Sequence, residues 1–253
     1  MARVKKHVAD YRALDNGGSP RMTELKLLAF DTSTDTMSVA VADGARTWRN
    51  SGQGGAKAST ELIPAIQALL AQAGLTLRQL DAIVFGHGPG SFTGLRTACS
   101  VAQGLAFGAG RPVLGIDTLM AVADEAHDQS GCVQVLAVLD ARMDEVYCGA
   151  YEFAGGAWTR SGALSLAKPE AVSLPAGWTL AGNAFAAYGE RLPAGPRVAC
   201  RPDAQALLRL APALVGSGCA VSADQALPLY IRDKVAQTTD ERAALKAAPR
   251  PAP

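Results

Sequence analysis

Residues 86–96, Gly86-His87-Gly88-Pro89-Gly90-Ser91-Phe92-Thr93-Gly94-Leu95-Arg96, constrain this chain more than any other stretch. An apolar run, Asp81-Ala82-Ile83-Val84-Phe85, precedes them and reads as a buried strand. A run rich in small apolar residues, Thr97 to Phe107, follows and reads as a helix. Four glycines, a proline, two hydroxyls and an arginine therefore sit at one strand-to-helix turn. Backbone this bare of side chains lets another surface approach closely, and a helix start presents N–H groups that have no partner within the helix. Such a turn either cradles an anion or admits close packing, and the two lead to different functions.

The flanking pattern supplies the frame. Leu25 to Asp31 is a short apolar run closed by an acid, Met37 to Ala42 is a second strand, and Asp31-Thr32-Ser33-Thr34-Asp35-Thr36 is the polar loop between them. Asp43-Gly44 turns the chain into Thr47-Trp48-Arg49, and Gly52 to Gly55 reads as flexible. Thr60 to Ala73 places Leu62, Ile63, Ile66, Leu69 and Leu70 on one side of a helix, with Pro64 early in it and Gly74 as its stop. Gly108-Ala109-Gly110 ends the helix after the glycine turn, and Pro112 to Ile116 is a further strand. Asp117-Thr118 caps a helix through Ala126. Val133 to Leu139 and Val146 to Phe153 are strands flanking Asp140-Ala141-Arg142-Met143-Asp144-Glu145. Short strands at Ala157 to Ser161 and Trp178 to Ala181 precede a helix at Ala204 to Val215. Strands alternating with helices predict an α/β architecture with mixed sheets. Each half of the chain opens on an antiparallel-looking pair, 25–31 with 37–42 and 133–139 with 146–151, which points to a duplicated domain.

Composition narrows the function classes. Lys plus Arg, 24 residues, nearly balances 23 Asp plus Glu, so the chain as a whole has no electrostatic reason to bind nucleic acid or an acidic membrane directly. The 253 residues suffice for two small lobes. Five scattered cysteines, Cys99, Cys132, Cys148, Cys200 and Cys219, form no C-x-x-C pair and suit a reducing cytoplasm. Residues 1–23 lack an apolar core of the secretory kind and read as a disordered leader; residues 240–253 read as a disordered tail. No apolar run reaches membrane-spanning length.

Three groups of residues could carry chemistry. Asp31, Thr32, Ser33 and Thr34 end a buried strand where a nucleotide-binding fold would place a phosphate hairpin, with the acid towards Mg²⁺. Phosphate approach favours a glycine there and none is present, so a polar hairpin with Asx and Ser/Thr turns is the preferred reading, with a vestigial nucleotide site as its rival. His7, His87 and His127 are the only histidines and make no metal-binding pair; His87 reads as a loop or interface residue. Asp140, Arg142, Asp144 and Glu145 read as a solvated hairpin with an internal Asp–Arg pair rather than a metal site. There is no Ser-His-Asp arrangement, and Gly88-Pro89-Gly90-Ser91 lacks a P-loop lysine.

Four stretches together resemble the TsaB (YeaZ) family: Leu28-Ala29-Phe30-Asp31-Thr32-Ser33-Thr34 with Ser38-Val39-Ala40, the glycine turn, Leu139 to Tyr147, and Pro228-Leu229-Tyr230-Ile231-Arg232-Asp233-Lys234-Val235-Ala236. The resemblance runs from Leu25 to about Thr239. It implies an actin/Hsp70/sugar-kinase-like (ASKHA) fold: two related lobes, 24–117 and 118–239, with mixed sheets of the five-stranded type flanked by helices, the last segment returning towards the first lobe. It implies a role in forming threonylcarbamoyladenosine at position 37 of tRNAs that read ANN codons. There the chain would be a non-catalytic cytoplasmic subunit that pairs with a TsaD-like transferase, recruits a TsaE-like ATPase, meets tRNA only through the complex and forms a homodimer when alone. No cofactor or metal is required, and weak nucleotide binding is compatible with the role. TsaD-like relatives hold a metal with two helix histidines; the matching helix here reads Lys57-Ala58-Ser59-Thr60-Glu61-Leu62 and has none.

The family's dimer surface is formed by the two first-lobe helices, which implies an interface of Leu62, Ile63, Ile66, Leu69, Leu70, Ala98, Ala102, Leu105 and Ala106. On that reading the motif Gly88, Pro89, Gly90, Ser91, Phe92, Thr93, Gly94 and Arg96 is a close-packing turn first and an anion site second. The rival reading is a nucleotide-dependent phosphotransferase or ATPase that uses Asp31 and the Thr32–Thr34 hairpin. A metalloprotease is set aside for want of a histidine pair.

Overall fold

Each half of the chain builds one five-stranded sheet, and the two sheets are wired alike. The structure, a computed structural model, describes residues 25–232. The expected leader, the expected tail and residues 233–239 lie outside them.

The first sheet comprises β1 (Lys26–Asp31), β2 (Thr36–Asp43), β3 (Arg46–Gln53), β4 (Ala82–Gly88) and β5 (Val113–Asp117), in the order β3-β2-β1-β4-β5. The β1–β2 and β2–β3 pairs are antiparallel; β4 runs parallel to β1 and β5. The centre of the sheet is apolar on both sides because both are covered. On one side α1 (Ala58–Ala73) and α2 (Phe92–Ala109) pack onto Leu28, Phe30, Val39, Val41, Ile83 and Phe85. On the other, α5 (Ala204–Gly216) sets Ala204, Leu207, Leu208 and Ala211 against Leu27, Ala29, Ala40, Val84 and Ile116. Thus α5, drawn from the second half of the sequence, completes the core of the first lobe. Left-handed glycines stop the helices: Gly74 at φ 68° after α1 and Gly110 at φ 65° after α2.

The second sheet comprises β6 (Gln134–Arg142), β7 (Glu145–Ala154), β8 (Ala157–Ala167), β9 (Thr179–Gly182) and β10 (Arg197–Ala199). Its order, β10-β9-β6-β7-β8, repeats the wiring of the first: an antiparallel meander of three strands and two parallel neighbours. One side carries α3 (Thr118–Ser130), whose Leu119, Val122, Ala123 and Ala126 meet Val135, Ala137, Leu139 and Tyr151. Asp117 caps α3 by accepting the Leu119 N–H at 3.0 Å. The other side is covered by Val172, Leu174 and Trp178 of the segment before β9 and by Ala184, Leu192 and the short helix α4 (Phe185–Tyr188) after it. Two five-stranded mixed sheets flanked by helices are the ASKHA arrangement that the resemblance implies.

Local expectations needed adjustment at four places. The stretch expected to be flexible, Gly52 to Gly55, is fixed: the Gly54 N–H donates to Asp35 O at 2.8 Å, and a Cβ on Gly54 would lie 2.6 Å from Thr34 O. Because α1 begins at Ala58 rather than Thr60, Pro64 sits inside the helix, on its exposed side. Strand β10 is three residues long and α4 only four, too short for periodicity to reveal. The β8 strand runs on to Ala167, well past Ser161.

Candidate functional site

The sequence left the glycine turn with two meanings, and its surroundings bear on both. Gly86 ends the buried part of β4 beside Asp31 at the end of β1; a Cβ on Gly86 would overlap the Asp31 carboxylate. Gly90 faces Ser33, where a Cβ would come within 2.6 Å of Ser33 Cβ. Gly94, in the first turn of α2, lies so close to Thr32 that a Cβ would overlap Thr32 O. Hydrogen bonds close the same junction: the Ser91 N–H donates to Ser33 O at 2.7 Å, and Thr32 Oγ1 donates to Gly94 O at 2.7 Å. The turn is bare where hairpin and helix touch, which favours the close-packing reading, while Gly90 and Ser91 also line the cleft described below.

Asp31 shares this enclosure. One carboxylate oxygen accepts the Ser33 N–H at 2.9 Å and the Ser33 hydroxyl at 2.7 Å, an Asx turn. The other, Oδ2, has no hydrogen-bond partner among the described residues. Burial raises the Asp31 pKa to about 6, against the lowering effect of the Ser33 bonds. An acid whose open oxygen is directed at glycine backbone inside the lobe is badly placed to hold Mg²⁺ in a cleft. Asp31, Thr32 and Ser33 are buried; of the four hairpin residues only Thr34 is open enough to meet solvent, and Ser33 and Thr34 line the cleft described below. Among the described residues no group of three His, Cys, Asp or Glu side chains could hold a metal ion.

His87 stands in an irregularity between β4 and β5, its ring against Gly115. Burial lowers its pKa to about 4, with a smaller contribution from Arg160, so it is neutral at pH 7. The cysteines are all unpaired; Cys99, Cys148 and Cys200 are buried, and burial pushes the Cys148 and Cys200 thiols up to about 12, which leaves them inert.

Between the lobes lies a cleft of about 700 Å³. The first lobe lines it with Ser33, Thr34, Asp35, Gly90, Ser91, Phe92 and Leu95. The second lobe contributes Leu139 to Met143, Tyr147, Asn183 and Arg201. The segment Leu229 to Arg232 forms a third wall. Of these, Asn183, Arg201, Tyr230 and Arg232 were not among the expected site residues, because their partners are distant in sequence. Arg201 pairs across the cleft with Asp35 at 3.3 Å, and Asn183 Oδ1 accepts the Asp140 N–H at 2.9 Å.

The acidic hairpin after β6 is a tight turn. Arg142, Met143 and Asp144 all have left-handed backbone, at φ 61°, 55° and 64°. Arg142 pairs with Asp140 at 3.2 Å, the internal pair expected from the sequence. Asp144 is held by Arg191 at 2.5 Å and by Lys168 at 3.4 Å; chiefly the Arg191 bond draws its carboxyl down to about 2. Its charge is engaged by neighbouring cations, which leaves it poorly disposed to bind a metal.

Seven of the nine expected interface residues face inward. Leu62, Ile66, Leu69, Leu70, Ala98, Ala102 and Ala106 are buried in the core of the first lobe, on the sheet-facing sides of α1 and α2. Their spacing at i, i+3 and i+4 marks the inner face of an amphipathic helix, and the sheet claims it. Leu105 is partly buried against the same core, and Ile63, 42% exposed, alone of the nine looks outward. The outward faces also carry Gly104, where an added Cβ meets nothing within 4 Å among the described residues, and Phe107, 85% exposed. Phe107 thus leaves a large aromatic side chain outside the core, and aromatic residues are enriched in interfaces.

Comparison with known proteins bears on this arrangement. A family model described as TsaD, tRNA N6-adenosine threonylcarbamoyltransferase, matches residues 55–248. The tRNA threonylcarbamoyladenosine biosynthesis protein TsaB of Escherichia coli strain K12 is 32% identical over 223 residues, covering 84% of this chain and 96% of that protein. The protein of the same name from Haemophilus influenzae is 47% identical over 128 residues, 50% of this chain and 53% of that one. Among solved structures, YeaZ from Pseudomonas aeruginosa superposes with a TM-score of 0.77 at 41% identity, over 81% of this chain and 99% of that one. No helix among the described residues is long and apolar enough to cross a membrane.

Proposed function

This chain belongs to the TsaB (YeaZ) family, and from that premise we propose that it serves tRNA threonylcarbamoyladenosine biosynthesis as a non-catalytic subunit. It pairs with a TsaD-like transferase through the outer faces of α1 and α2, and the pair recruits a TsaE-like ATPase. Contact with tRNA comes through the assembled complex, in keeping with a near-neutral chain. The observation that carries the reading is the closed junction of the β1–β2 hairpin with the glycine turn. Where a catalytic relative would need room for phosphate and metal, Gly90 and Gly94 bring α2 down onto Ser33 and Thr32.

Docking has a physical basis in Ile63, Gly104 and Phe107. Glycine and small neighbours let a partner helix come close, and burying one large apolar side chain contributes about 1.5–3 kcal/mol. Size-exclusion chromatography with light scattering, on this chain mixed with a TsaD-like subunit, tests the assignment. Gly104→Trp and Phe107→Glu, both on the outer face, are expected to abolish the complex while the chain stays folded. A complex that survives both substitutions contradicts it. The same surface, left uncovered, supports a homodimer of the isolated chain, read from the same experiment as a doubled mass.

The 700 Å³ cleft keeps one rival in view, a nucleotide-dependent phosphotransferase. Micromolar binding of Mg-ATP in calorimetry, lost in Asp31→Ala, would favour it.

A further inference from the structure

The last described residues, 226–232, join neither sheet yet hold on to both lobes. Ala226 is buried in the first core, and its carbonyl accepts from Gln103 Nε2 at 2.9 Å and from the Cys99 thiol at 3.3 Å, both on α2. The Leu229 N–H donates to His87 O at 2.7 Å, and the Leu229 carbonyl fills the space a Cβ on Gly88 would take. The Tyr230 ring lies 5.4 Å from that of Phe92; its hydroxyl accepts from Arg96 Nε at 3.1 Å, while Arg96 stacks on Phe92 at 3.8 Å. The chain then passes into the second lobe. Ile231 packs against the core beneath α3. Arg232 donates to Glu145 Oε2 at 2.7 Å, to Ala141 O at 3.1 Å and to Arg142 O at 3.4 Å, at the left-handed turn between β6 and β7.

We propose that this seven-residue strap is a latch that sets the separation of the two lobes across the cleft. It is anchored at one end on α2 and at the other on the β6–β7 turn, and it walls the cleft between them. The other tie lining the cleft, Arg201 with Asp35, joins side chains that are 52% and 57% exposed. Solvent screening leaves such a pair weak. The Arg232 side chain is only 13% exposed and donates to two backbone carbonyls besides Glu145, so loss of it leaves the part-buried Ala141 carbonyl and the Glu145 carboxylate without this partner. The turn it holds is costly to form, since three consecutive residues with side chains adopt left-handed backbone. Arg232 therefore holds the strap to a turn whose own backbone is strained.

Hydrogen–deuterium exchange of the isolated full chain tests the latch without a partner, so its outcome is independent of the docking assignment. The expected result for Arg232→Ala and for Glu145→Gln is exchange faster by about tenfold in residues 226–232 and also in both cleft walls, 31–36 and 139–147. Central strand β1 should be unchanged at Leu28 to Phe30, and Arg201→Ala should leave every segment as it was. Glu145→Gln keeps the side-chain shape, so a failure of Arg232→Ala to fold does not end the test. Faster exchange confined to 226–232, no change in a folded variant, or an equal effect from Arg201→Ala would each overturn the proposal.

Discussion

The two lobes place an acidic hairpin at the same point of the same wiring, and they treat it in opposite ways. In the first lobe the β1–β2 hairpin is pressed under the N-terminus of an 18-residue helix, α2; Asp31 is buried and the hydroxyls of Thr32 and Ser33 are bonded inside the lobe. In the second, the β6–β7 hairpin lies beside an equally crowded glycine, Gly182 on β9, where a Cβ would overlap Val138 O. There the next helix, α4, has four residues, and the hairpin stays at the surface, held by Arg191 and Arg232. What covers a hairpin thus decides whether its acids meet a ligand or the chain itself. The long α2 closes the first hairpin and, on its other side, offers Gly104 and Phe107 outward; the second lobe has no comparable helix at that place.

The sharpest way to break this contrast is to separate hairpin from helix in the first lobe. Gly94→Val drives a side chain into the Thr32 carbonyl and should cost more than about 3 kcal/mol in urea denaturation, because backbone rather than a flexible side chain must yield. A cost below 1 kcal/mol would show the junction to be loose.

Asp31 gives the next largest effect, with a distinctive sign. Its pKa is raised from 3.8 to about 6, so the native chain retains a proton that the unfolded chain has lost. Through this group stability is highest at low pH and falls as pH rises from about 4 to 6. His87 acts oppositely: lowered from 6.5 to about 4, it makes stability fall as pH drops through that interval. Asp31→Asn should therefore raise stability at pH 7 by up to about 3 kcal/mol and steepen the loss on acidification that His87 leaves uncompensated. Denaturation midpoints at pH 4.5 and 7 measure both; loss of stability at pH 7 would mean that the carboxylate is needed ionised.

Smaller effects probe the open surfaces. Met143→Asn places a residue tolerant of left-handed backbone at φ 55° and should raise the melting temperature, by about 1 kcal/mol of stability. Gly104→Ala, with nothing within 4 Å of the new Cβ among the described residues, should gain about 0.5–1 kcal/mol from helix propensity in the isolated chain.

Much of this contrast was legible in the sequence. The apolar runs ending at Asp31 and Phe85 and the glycine stops at Gly74 and Gly110 mark elements whose local chemistry leaves few alternatives. The close-packing meaning of the glycine turn could be framed from its composition, but Thr32 as the surface that packs on Gly94 is 62 residues away in sequence and carries no local signal. Seven of the nine expected interface residues face inward for a physical reason: periodicity finds the apolar stripe of a helix, and that stripe is first claimed by the helix's own sheet. An outward face of Gly104 and Phe107 shows itself only once the inward one has been assigned. The same limit hid Arg201 and the pairing of Arg232, charged residues on loops whose partners Asp35 and Glu145 are 166 and 87 positions away.

A reconstituted threonylcarbamoyl-transfer assay tests the central claim most directly, with the TsaD-like and TsaE-like subunits and with this chain as wild type, Asp31→Asn or Phe107→Glu. The account predicts no turnover by this chain alone, full activity of the complex with Asp31→Asn, and loss of activity with Phe107→Glu. An inactive complex containing folded, correctly paired Asp31→Asn would contradict it, because the buried acid would then be doing chemistry rather than closing a turn.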